Sequence, residues 1–196
     1  MQEKEVIYTF KIVIIGAGGV GKTCLFNRFC FNSFNFDTSQ TIGLSFHSMD
    51  LKVDYMNQDS FSSNKFIVNS IFDFGGQDRF KPLIPKFLEG ANGAILTFDL
   101  TNEDTLEKLN YWYNLLISYT NGTEVPKILV GTKNDLLSEI PENQRIKEGK
   151  INAFLKEKEL DAYIVTSSLK NYNVVAAFKQ LNNLMLVRKN IPFNVL

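Results

Sequence analysis

The chain has 196 residues, of which 44% are hydrophobic and 21% are charged, values typical of one globular domain rather than of a disordered chain. Lysine plus arginine and aspartate plus glutamate both number 21, so the formal net charge is zero. This balance argues against bulk nucleic-acid binding and against a polybasic membrane patch. No apolar run reaches the ~18 residues of a membrane-spanning helix, and the first residues lack the basic start and apolar centre of a signal peptide.

The cysteine and histidine content limits the sites that the chain can build. Cys24 and Cys30 lie close together in one predicted helix and make no disulfide framework, which favours a reducing, cytoplasmic setting. The single histidine, His47, cannot form a histidine metal site and is expected to be half-exposed in a strand. The last residues contain no cysteine for prenylation. We therefore expect no direct membrane anchor in this chain, and membrane association only through partners or through a C-terminal segment beyond it.

Short apolar runs alternate with helical patterns along the chain. Buried strands separated by helices indicate a mostly parallel sheet that is covered on both faces, and ligands of such folds bind at the carboxyl ends of the strands. A polar, turn-rich stretch at residues 57–64 predicts a long hairpin loop. The predicted strands are residues 6–15, 44–53, 65–72, 94–98, 127–130 and 163–165, and the predicted helices are residues 22–31, about 106–117, about 142–157 and 174–185.

The first motif with a clear chemical meaning lies between the first strand and the first helix. Residues 16–23 read GAGGVGKT and satisfy the pattern G-x-x-x-x-G-K-[ST]. Glycines let the main chain wrap round a phosphate, and the helix N-terminus adds partial positive charge. Lys22 is predicted to reach the β- and γ-phosphates and Thr23 to ligate Mg²⁺, but this loop alone separates neither ATP from GTP nor a kinase from a hydrolase. The nucleotide-binding residues predicted here are Gly18, Gly19, Val20, Gly21, Lys22, Thr23 and Cys24.

The second motif, DFGGQ at residues 73–77, follows the strand at residues 65–72. An aspartate at a strand end can hold the hydration shell of Mg²⁺, so we assign Asp73 to the metal, with water between them. Gly76 is placed to present its backbone N–H to the γ-phosphate, and Gln77 to orient the attacking water. Taken alone, Asp73 has an ordinary alternative as a helix or turn cap.

The third motif, GTKND at residues 131–135, predicts a site for the base. A carboxylate such as that of Asp135 accepts hydrogen bonds from the N1–H and the exocyclic amine of guanine, whereas adenine would leave those groups unpaired. The aliphatic stem of Lys133 is expected to lie along the base. A fourth motif after the last strand contains Ser167, Ser168 and Leu169, and the backbone N–H of Ser168 is expected to meet the guanine O6. Lys133 and Asp135 alone are equally consistent with an ordinary surface pair at a helix start.

These four motifs, in this order, resemble those of the Ras superfamily of small GTPases over about residues 6–189. The closest resemblance is to the Rab branch, because residues 41–46 (TIGLSF) are similar to its switch I segment and residues 76–80 (GQDRF) to its switch II segment. Thr132 stands where most relatives carry asparagine and is similar to the Rho branch. Gly75 stands where most carry alanine and is similar to Arf proteins and G-protein α subunits.

The resemblance implies the fold. It is the α/β G domain of P-loop NTPases, with a six-stranded, mostly parallel sheet, one antiparallel edge strand and about five helices. Residues 1–196 are expected to form this single domain, with a short tail at residues 190–196.

The resemblance also implies roles for side chains that spacing alone does not assign. Thr41 would ligate Mg²⁺ when a γ-phosphate is present, Phe34 would pack edge-on against the guanine, and Thr132 would belong to the base site. Three further aromatic residues fall where Rab proteins keep an aromatic triad that effectors contact. These residues are Phe46, Phe72 and Phe87, and plain core packing is the alternative for the last two.

The function implied is a guanine-nucleotide switch in vesicle trafficking that binds GTP or GDP with Mg²⁺, with Lys22, Gly76 and Gln77 in the catalytic machinery. An exchange factor, an activating protein and effectors that contact residues 41–46 are the expected partners. No arginine lies near Thr41, so intrinsic hydrolysis is expected to be slow, on the order of 10⁻⁴ to 10⁻³ s⁻¹ by analogy with Ras. Two alternatives stay open, namely a GTP-binding adaptor that does not hydrolyse and, less consistent with the motif order, a P-loop kinase of small molecules or nucleosides.

Overall fold

The computed structural model describes residues 4–35, 43–55, 64–75, 84–120 and 124–196. Within these ranges the chain forms seven strands and six α-helices, which alternate along most of the sequence. The strands are β1 (Glu5–Ile15), β2 (Leu44–Tyr55), β3 (Lys65–Phe74), β4 (Gly93–Asp99), β5 (Lys127–Thr132), β6 (Ala162–Val165) and β7 (Phe193–Val195). The helices are α1 (Lys22–Phe31), α2 (Ile84–Leu88), α3 (Asp104–Glu107), α4 (Leu109–Tyr119), α5 (Glu148–Glu157) and α6 (Val174–Arg188).

All seven strands join one sheet in the order β6-β5-β4-β1-β3-β2-β7. The pairs β1–β3, β1–β4, β4–β5 and β5–β6 are parallel, whereas β2 runs antiparallel to β3. The mostly parallel α/β sheet is therefore confirmed. The number of strands differs from the expected six, because β7 pairs antiparallel with β2 at the edge of the sheet.

Alternation along β1 explains why helices cover both faces of the sheet. Phe10, Ile12 and Ile14 point to one face of the sheet and pack with α1 and α6. Val13 and Ile15 point to the other face and pack with α2, α3, α4 and α5. All these side chains are fully buried. A strand that is apolar on both faces can be stable only when both faces are covered, and the β1 sequence therefore indicates its central place.

Two predicted helices differ from the observed ones. The helix predicted over residues 142–157 begins only at Glu148, because Pro141 opens a short 3₁₀ turn and the chain then becomes extended at Arg145 and Lys147. The helix predicted over residues 106–117 is divided into α3 and α4 at Lys108. Because Lys108 itself keeps right-handed helical angles, the predicted apolar face continues across the division.

The segment expected to be a tail, residues 190–196, contains the strand β7, which joins the sheet. Val53 and Tyr55 of β2 face Val195 and Phe193 of β7, and the rings of Tyr55 and Phe193 are 4.2 Å apart. The Val195 N–H also donates to Oδ1 of Asn183 in α6, at 2.9 Å. Three residues are too few to produce a readable alternation of apolar and polar side chains, which is why this strand was not predicted.

The expectations about the two cysteines and the histidine are met in the described part of the chain. Neither Cys24 nor Cys30 forms a disulfide bond. His47 is half-buried in β2, with its ring 4.6 Å from that of Phe31. Among the helices that the structure describes, none is both long and apolar enough to cross a membrane. The predicted hairpin loop at residues 57–64 falls outside the described residues except for Asn64.

Candidate functional site

The predicted motifs meet at one edge of the sheet. Residues 16–23 follow β1, Asp73 lies near the end of β3, residues 131–135 close β5, and residues 166–169 follow β6. Because these four strands run in the same direction, their carboxyl ends lie side by side. The fold therefore brings together the proposed phosphate, metal and base groups that are far apart in the sequence.

The glycines of the phosphate loop are required by its backbone. At Gly16, a Cβ atom would lie 2.2 Å from the carbonyl oxygen of Thr97, so a side chain there would force the loop away from β4. Gly21 has a φ of +94° and caps the start of α1, a conformation that L-residues adopt only with strain. The first turn of α1 leaves backbone N–H groups without helical acceptors at this point, as an anion site requires.

Lys22 is held inside the phosphate loop. Its side chain is 5% exposed, and its Nζ donates to the carbonyl oxygens of Gly16 and Ala17 at 2.9 and 2.7 Å. Burial lowers the pKa of Lys22 to about 8, and the charge of Asp73 opposes that change. The ammonium is therefore already positioned at the mouth of the loop, with carbonyl groups as its partners.

Thr23 and Asp73 form a pair across the same loop. The Thr23 hydroxyl donates to Oδ2 of Asp73 at 2.6 Å. Asp73 is fully buried, and burial raises the pKa of its carboxyl to about 6, against the effects of the Thr23 hydrogen bond and the Lys22 charge. Its other oxygen, Oδ1, has no hydrogen-bond partner among the described residues. An unsatisfied buried oxygen of this kind is costly and indicates a group that an ion or water is meant to contact.

The Thr23–Asp73 pair fits a magnesium site. Hydroxyl and carboxylate oxygens are the ligands that Mg²⁺ prefers, and Mg²⁺ usually keeps several waters and takes the rest of its ligands from phosphates. Within the described ranges, no group of three or more His, Cys, Asp or Glu side chains is placed to hold a metal. A metal bound at this pair would therefore complete its shell with water and with phosphate oxygens.

At the base end, Lys133 is fixed by an ion pair. It adopts a left-handed backbone conformation, with φ of 59°. Its Nζ lies 2.7 Å from Oδ2 of Asp99, the last residue of β4, which is nearly buried. This pairing orients the lysine stem along the edge of the sheet. Asp99 was not among the predicted site residues, although its place directly after the strand predicted at residues 94–98 is a usable signal.

Asp135 and the fourth motif are joined directly. The Ser167 hydroxyl donates to Oδ1 of Asp135 at 2.5 Å, and the Lys170 N–H donates to the Ser167 hydroxyl oxygen at 3.0 Å. Ser168 beside them is 7% exposed, and Leu169 is exposed. One oxygen of the Asp135 carboxylate is thus held by the loop after β6, and this bond restrains the orientation of the carboxylate.

Thr132 lies inside the protein rather than on the pocket surface. It is 2% exposed, and its hydroxyl lies 2.5 Å from the carbonyl oxygen of Val20 and 2.9 Å from that of Phe98. A hydroxyl has one hydrogen to donate, so the two carbonyl oxygens share it. Thr132 therefore ties the phosphate loop to the end of β4, and its visible role is to connect the two ends of the site.

The predicted γ-phosphate contacts Thr41, Gly76 and Gln77 lie outside the described residues. The points where their segments leave the sheet are described, and they are adjacent. The Gly75 N–H donates to the carbonyl oxygen of Gly43 at 2.9 Å, immediately beyond the last pair of the β2–β3 ladder. Gly43 and Gly75, the described residues next to positions 42 and 76, are therefore bonded to each other.

The predicted aromatic triad is contiguous. The rings of Phe46 and Phe72 are 5.0 Å apart, and those of Phe72 and Phe87 are 6.4 Å apart. Phe46 is 55% exposed, while Phe72 and Phe87 are half-buried against the core on the face of α2. Phe72 and Phe87 therefore take part in core packing as well, but the three rings together still form one surface.

Phe34 follows α1 and is half-buried. The guanidinium carbon of Arg28 lies 6.0 Å from the centre of its ring. Arg28 also donates from Nε to the carbonyl oxygen of Ser168 at 2.7 Å. Sequence reasoning did not select Arg28, because an arginine on an amphipathic helix carries no signal of a contact 140 residues away.

Comparison with known proteins agrees with this geometry. A model of the Ras family matches residues 11–187. The Ras-related protein Rab-18 of Lymnaea stagnalis is 36% identical over 148 residues, which is 75% of this chain and 69% of that protein. Rab-18-B of Danio rerio is 36% identical over 74% of this chain and 67% of its own length. The Ras-related protein RABA1b of Arabidopsis thaliana is 37% identical over 68% of this chain and 57% of its own length.

The matched range begins inside β1 and ends inside α6, so it contains all four motifs, while β7 lies beyond it. The relatives carry Rab names, in agreement with the resemblance of residues 41–46 and 76–80. Guanine-nucleotide binding and protein partners come with this family. The chain belongs to the Ras family and is a Rab-like small GTPase.

Proposed function

We propose that the protein binds GTP and GDP with Mg²⁺ at the carboxyl edge of its sheet, hydrolyses GTP slowly, and acts as a switch in vesicle trafficking. The observation that carries this proposal is the arrangement at that edge. The Lys22 ammonium and the Thr23–Asp73 pair lie at one end, and the Asp135–Ser167 pair lies at the other. Lys22 would bind a phosphate, the Thr23–Asp73 pair a magnesium ion, and the Asp135–Ser167 pair a purine.

Selectivity for guanine is argued from the Asp135 carboxylate. It is an acceptor-only group whose orientation is restrained by Ser167, so a base that presents two donors to it is favoured. Guanine presents its N1–H and 2-amino group, whereas adenine presents an acceptor and a C–H. A buried mismatch of this kind can reduce binding by about 10⁴-fold.

For hydrolysis, the chain supplies positioning and charge rather than a covalent step. Lys22 would hold the β- and γ-phosphate oxygens, Gly76 would donate its N–H to the γ-phosphate, and Gln77 would orient the attacking water. Magnesium held by Thr23, Thr41 and the water shell of Asp73 would neutralise charge on the phosphates. We find no arginine in the sequence near Thr41, which supports a slow intrinsic rate.

Switching is argued from the junction of Gly43 and Gly75. The residues proposed to contact the γ-phosphate adjoin this junction in the sequence, on the N-terminal side of Gly43 and the C-terminal side of Gly75, so losing the terminal phosphate would act on both segments together. The aromatic surface of Phe46, Phe72 and Phe87 begins beside the same junction and is the proposed contact for effectors. The Rab-like sequence makes vesicle trafficking the proposed process, with an exchange factor and an activating protein as regulators.

Nucleotide binding tests the proposal. Purified protein, stripped of nucleotide, is titrated with GDP, GTP, ADP and ATP in the presence and absence of Mg²⁺. We expect a preference for guanine nucleotides of at least about 10³-fold and tighter binding with Mg²⁺. Equal affinity for GDP and ADP would overturn the proposed function.

Single-turnover hydrolysis of GTP separates a switch from an adaptor that only binds. We expect slow release of phosphate by the natural sequence and a further large reduction in Gln77→Leu, with GTP affinity unchanged. Absence of any turnover in the natural sequence, with GTP binding intact, would favour the adaptor. Equal turnover in both proteins would overturn the role of Gln77.

A further inference from the structure

Arg28 joins α1 and the residues that directly follow it to the loop after β6. It projects from α1 and is half-buried. Its Nε and Nη2 donate to the carbonyl oxygens of Ser168 and Leu169, at 2.7 and 3.4 Å. Its Nη1 donates to the carbonyl oxygen of Asn32 at 3.0 Å, and its guanidinium carbon lies 6.0 Å from the ring centre of Phe34.

The planar guanidinium is suited to these contacts. Two of its N–H groups point to successive carbonyl oxygens of one loop, which a single ammonium cannot reproduce. Backbone carbonyls that accept from a charged donor form stronger hydrogen bonds than those that accept from a neutral one. The peptide between Ser168 and Leu169 is therefore held from α1, and Ser168, whose own N–H lies in the preceding peptide, is anchored on its C-terminal side.

The other side of Arg28 fixes the exit from α1. Asn32 caps the helix in a left-handed conformation, with φ of 48°, and its N–H donates back to Asn27. Arg28 donates to both the backbone carbonyl oxygen and the side-chain Oδ1 of Asn32. Because Phe34 follows two residues later and its ring lies within cation–π distance, the same guanidinium also holds the place of this ring.

The loop that Arg28 holds is the one that holds Asp135. Ser167 donates its hydroxyl to Asp135, and the next residue, Ser168, is bonded to Arg28 through its carbonyl oxygen. A continuous set of contacts therefore runs from α1 through this loop to the carboxylate that faces the base. None of these contacts involves the Thr23–Asp73 pair at the phosphate end.

We propose that Arg28 is a positioning residue for guanine recognition, holding the Ser168 N–H and the Phe34 ring in the places where the base meets them. This inference rests on the proposed function, because it assumes that guanine occupies the base site. It assigns part of the base specificity to a side chain that does not itself touch the nucleotide.

The test is the dissociation rate of bound nucleotide from the natural protein, Arg28→Ala and Arg28→Lys. Three nucleotides are compared: GDP, inosine diphosphate, which keeps O6 and the N1–H and lacks the 2-amino group, and 2-aminopurine riboside diphosphate, which lacks both O6 and the N1–H. We expect Arg28→Ala to raise the dissociation rate about tenfold for GDP and for inosine diphosphate. For the 2-aminopurine nucleotide the increase should be threefold or less, because the Ser168 contact that Arg28 positions is already missing and only the Phe34 contact remains to be weakened.

Arg28→Lys keeps the charge and most of the stem, and we expect an increase between those of the natural protein and Arg28→Ala. The matched control is Arg145→Ala, which removes an exposed arginine whose Nε donates to the carbonyl oxygen of Ile140 at 3.1 Å, and it should leave all three rates unchanged. A purely structural role would raise the three rates by the same factor, and that result would overturn the proposal. Unchanged rates in Arg28→Ala with guanine selectivity intact would overturn this inference alone, whereas loss of guanine selectivity in the natural protein would overturn the proposed function.

Discussion

The two ends of the site are built in different ways. At the phosphate end, glycines in backbone conformations unsuited to other residues and a buried lysine present main-chain groups and charge. The contacts of Lys22 are made within its own loop, while the metal pair Thr23–Asp73 joins α1 to β3. At the base end, every described group depends on a partner from another segment: Lys133 on Asp99, and Asp135 on Ser167.

This difference matches what each end must recognise. A phosphate is a dense, symmetric anion that any short loop of N–H groups can hold, so one continuous segment is sufficient. A purine is recognised by the direction of a few hydrogen bonds, and direction requires that separate loops be fixed relative to one another. Substitutions at the phosphate end should therefore weaken the binding of nucleotides by the same factor whatever their base. Substitutions at the base end should change the preference among bases.

The largest effect is expected from Lys22→Met, which keeps the aliphatic stem and removes the charge. Hydrogen bonds to charged groups contribute about 1.5–3 kcal/mol each, so losing contacts to the β- and γ-phosphates should weaken GTP binding roughly 1000-fold, and losing the β-phosphate contact alone should weaken GDP binding roughly 30-fold. GDP and inosine diphosphate should lose the same factor. Isothermal titration calorimetry measures both, with Lys156→Met on the exposed face of α5 as the control. If GDP and inosine diphosphate lost affinity by different factors, the proposal that the phosphate end acts independently of the base would be wrong.

Asp135→Asn should change the preference among bases rather than weaken all of them by the same factor. Asparagine presents an N–H₂ donor where the carboxylate accepted, so GDP should lose about 100-fold in affinity. Xanthosine diphosphate carries a carbonyl at C2 and should gain affinity for the variant. The Mg²⁺ dependence of binding should stay as in the natural protein, and a changed Mg²⁺ dependence would show that the two ends are not separate.

The sequence was most informative where a role is carried by a contiguous segment. Residues 16–23 could be recognised as a phosphate-binding loop because the glycines and Lys22 act within one loop and their spacing is local. The central strands were equally clear, since residues 94–98 and 127–130 are apolar except for Thr97 and Lys127 and lie inside the fully buried strands β4 and β5. In both cases the physical requirement is local and leaves a local pattern.

Sequence reasoning was weaker where a role depends on distant partners. Asp99 and Arg28 act through Lys133 and Ser168, and no spacing rule connects α1 to a loop 140 residues away. Thr132 was assigned to the base from resemblance, whereas its hydroxyl lies between two main-chain carbonyls in the interior. The strand β7 was not predicted for a similar reason, because it forms by pairing with β2, which is distant in the sequence.

Thr23→Val tests the metal at the phosphate end. Valine has nearly the shape of threonine but cannot ligate Mg²⁺, so GDP binding should weaken about tenfold when Mg²⁺ is present and change little when EDTA is present. The dissociation rate of GDP with and without EDTA measures this. Thr23→Ser, which keeps the hydroxyl, is the control. If EDTA accelerates dissociation as strongly in Thr23→Val as in the natural protein, Thr23 is not a metal ligand.

The smallest effect is expected where the two ends are joined. Thr132→Val removes the hydroxyl that Val20 and Phe98 share and keeps the volume of the side chain, so the unfolding free energy should fall by about 1–2 kcal/mol. Because this bond ties the phosphate loop to the base end, dissociation of GDP and of inosine diphosphate should rise together, by about fivefold or less. Thr132→Ser keeps the hydroxyl and should retain the slow rates. A loss of preference between the two nucleotides in Thr132→Val would mean that Thr132 reads the base itself.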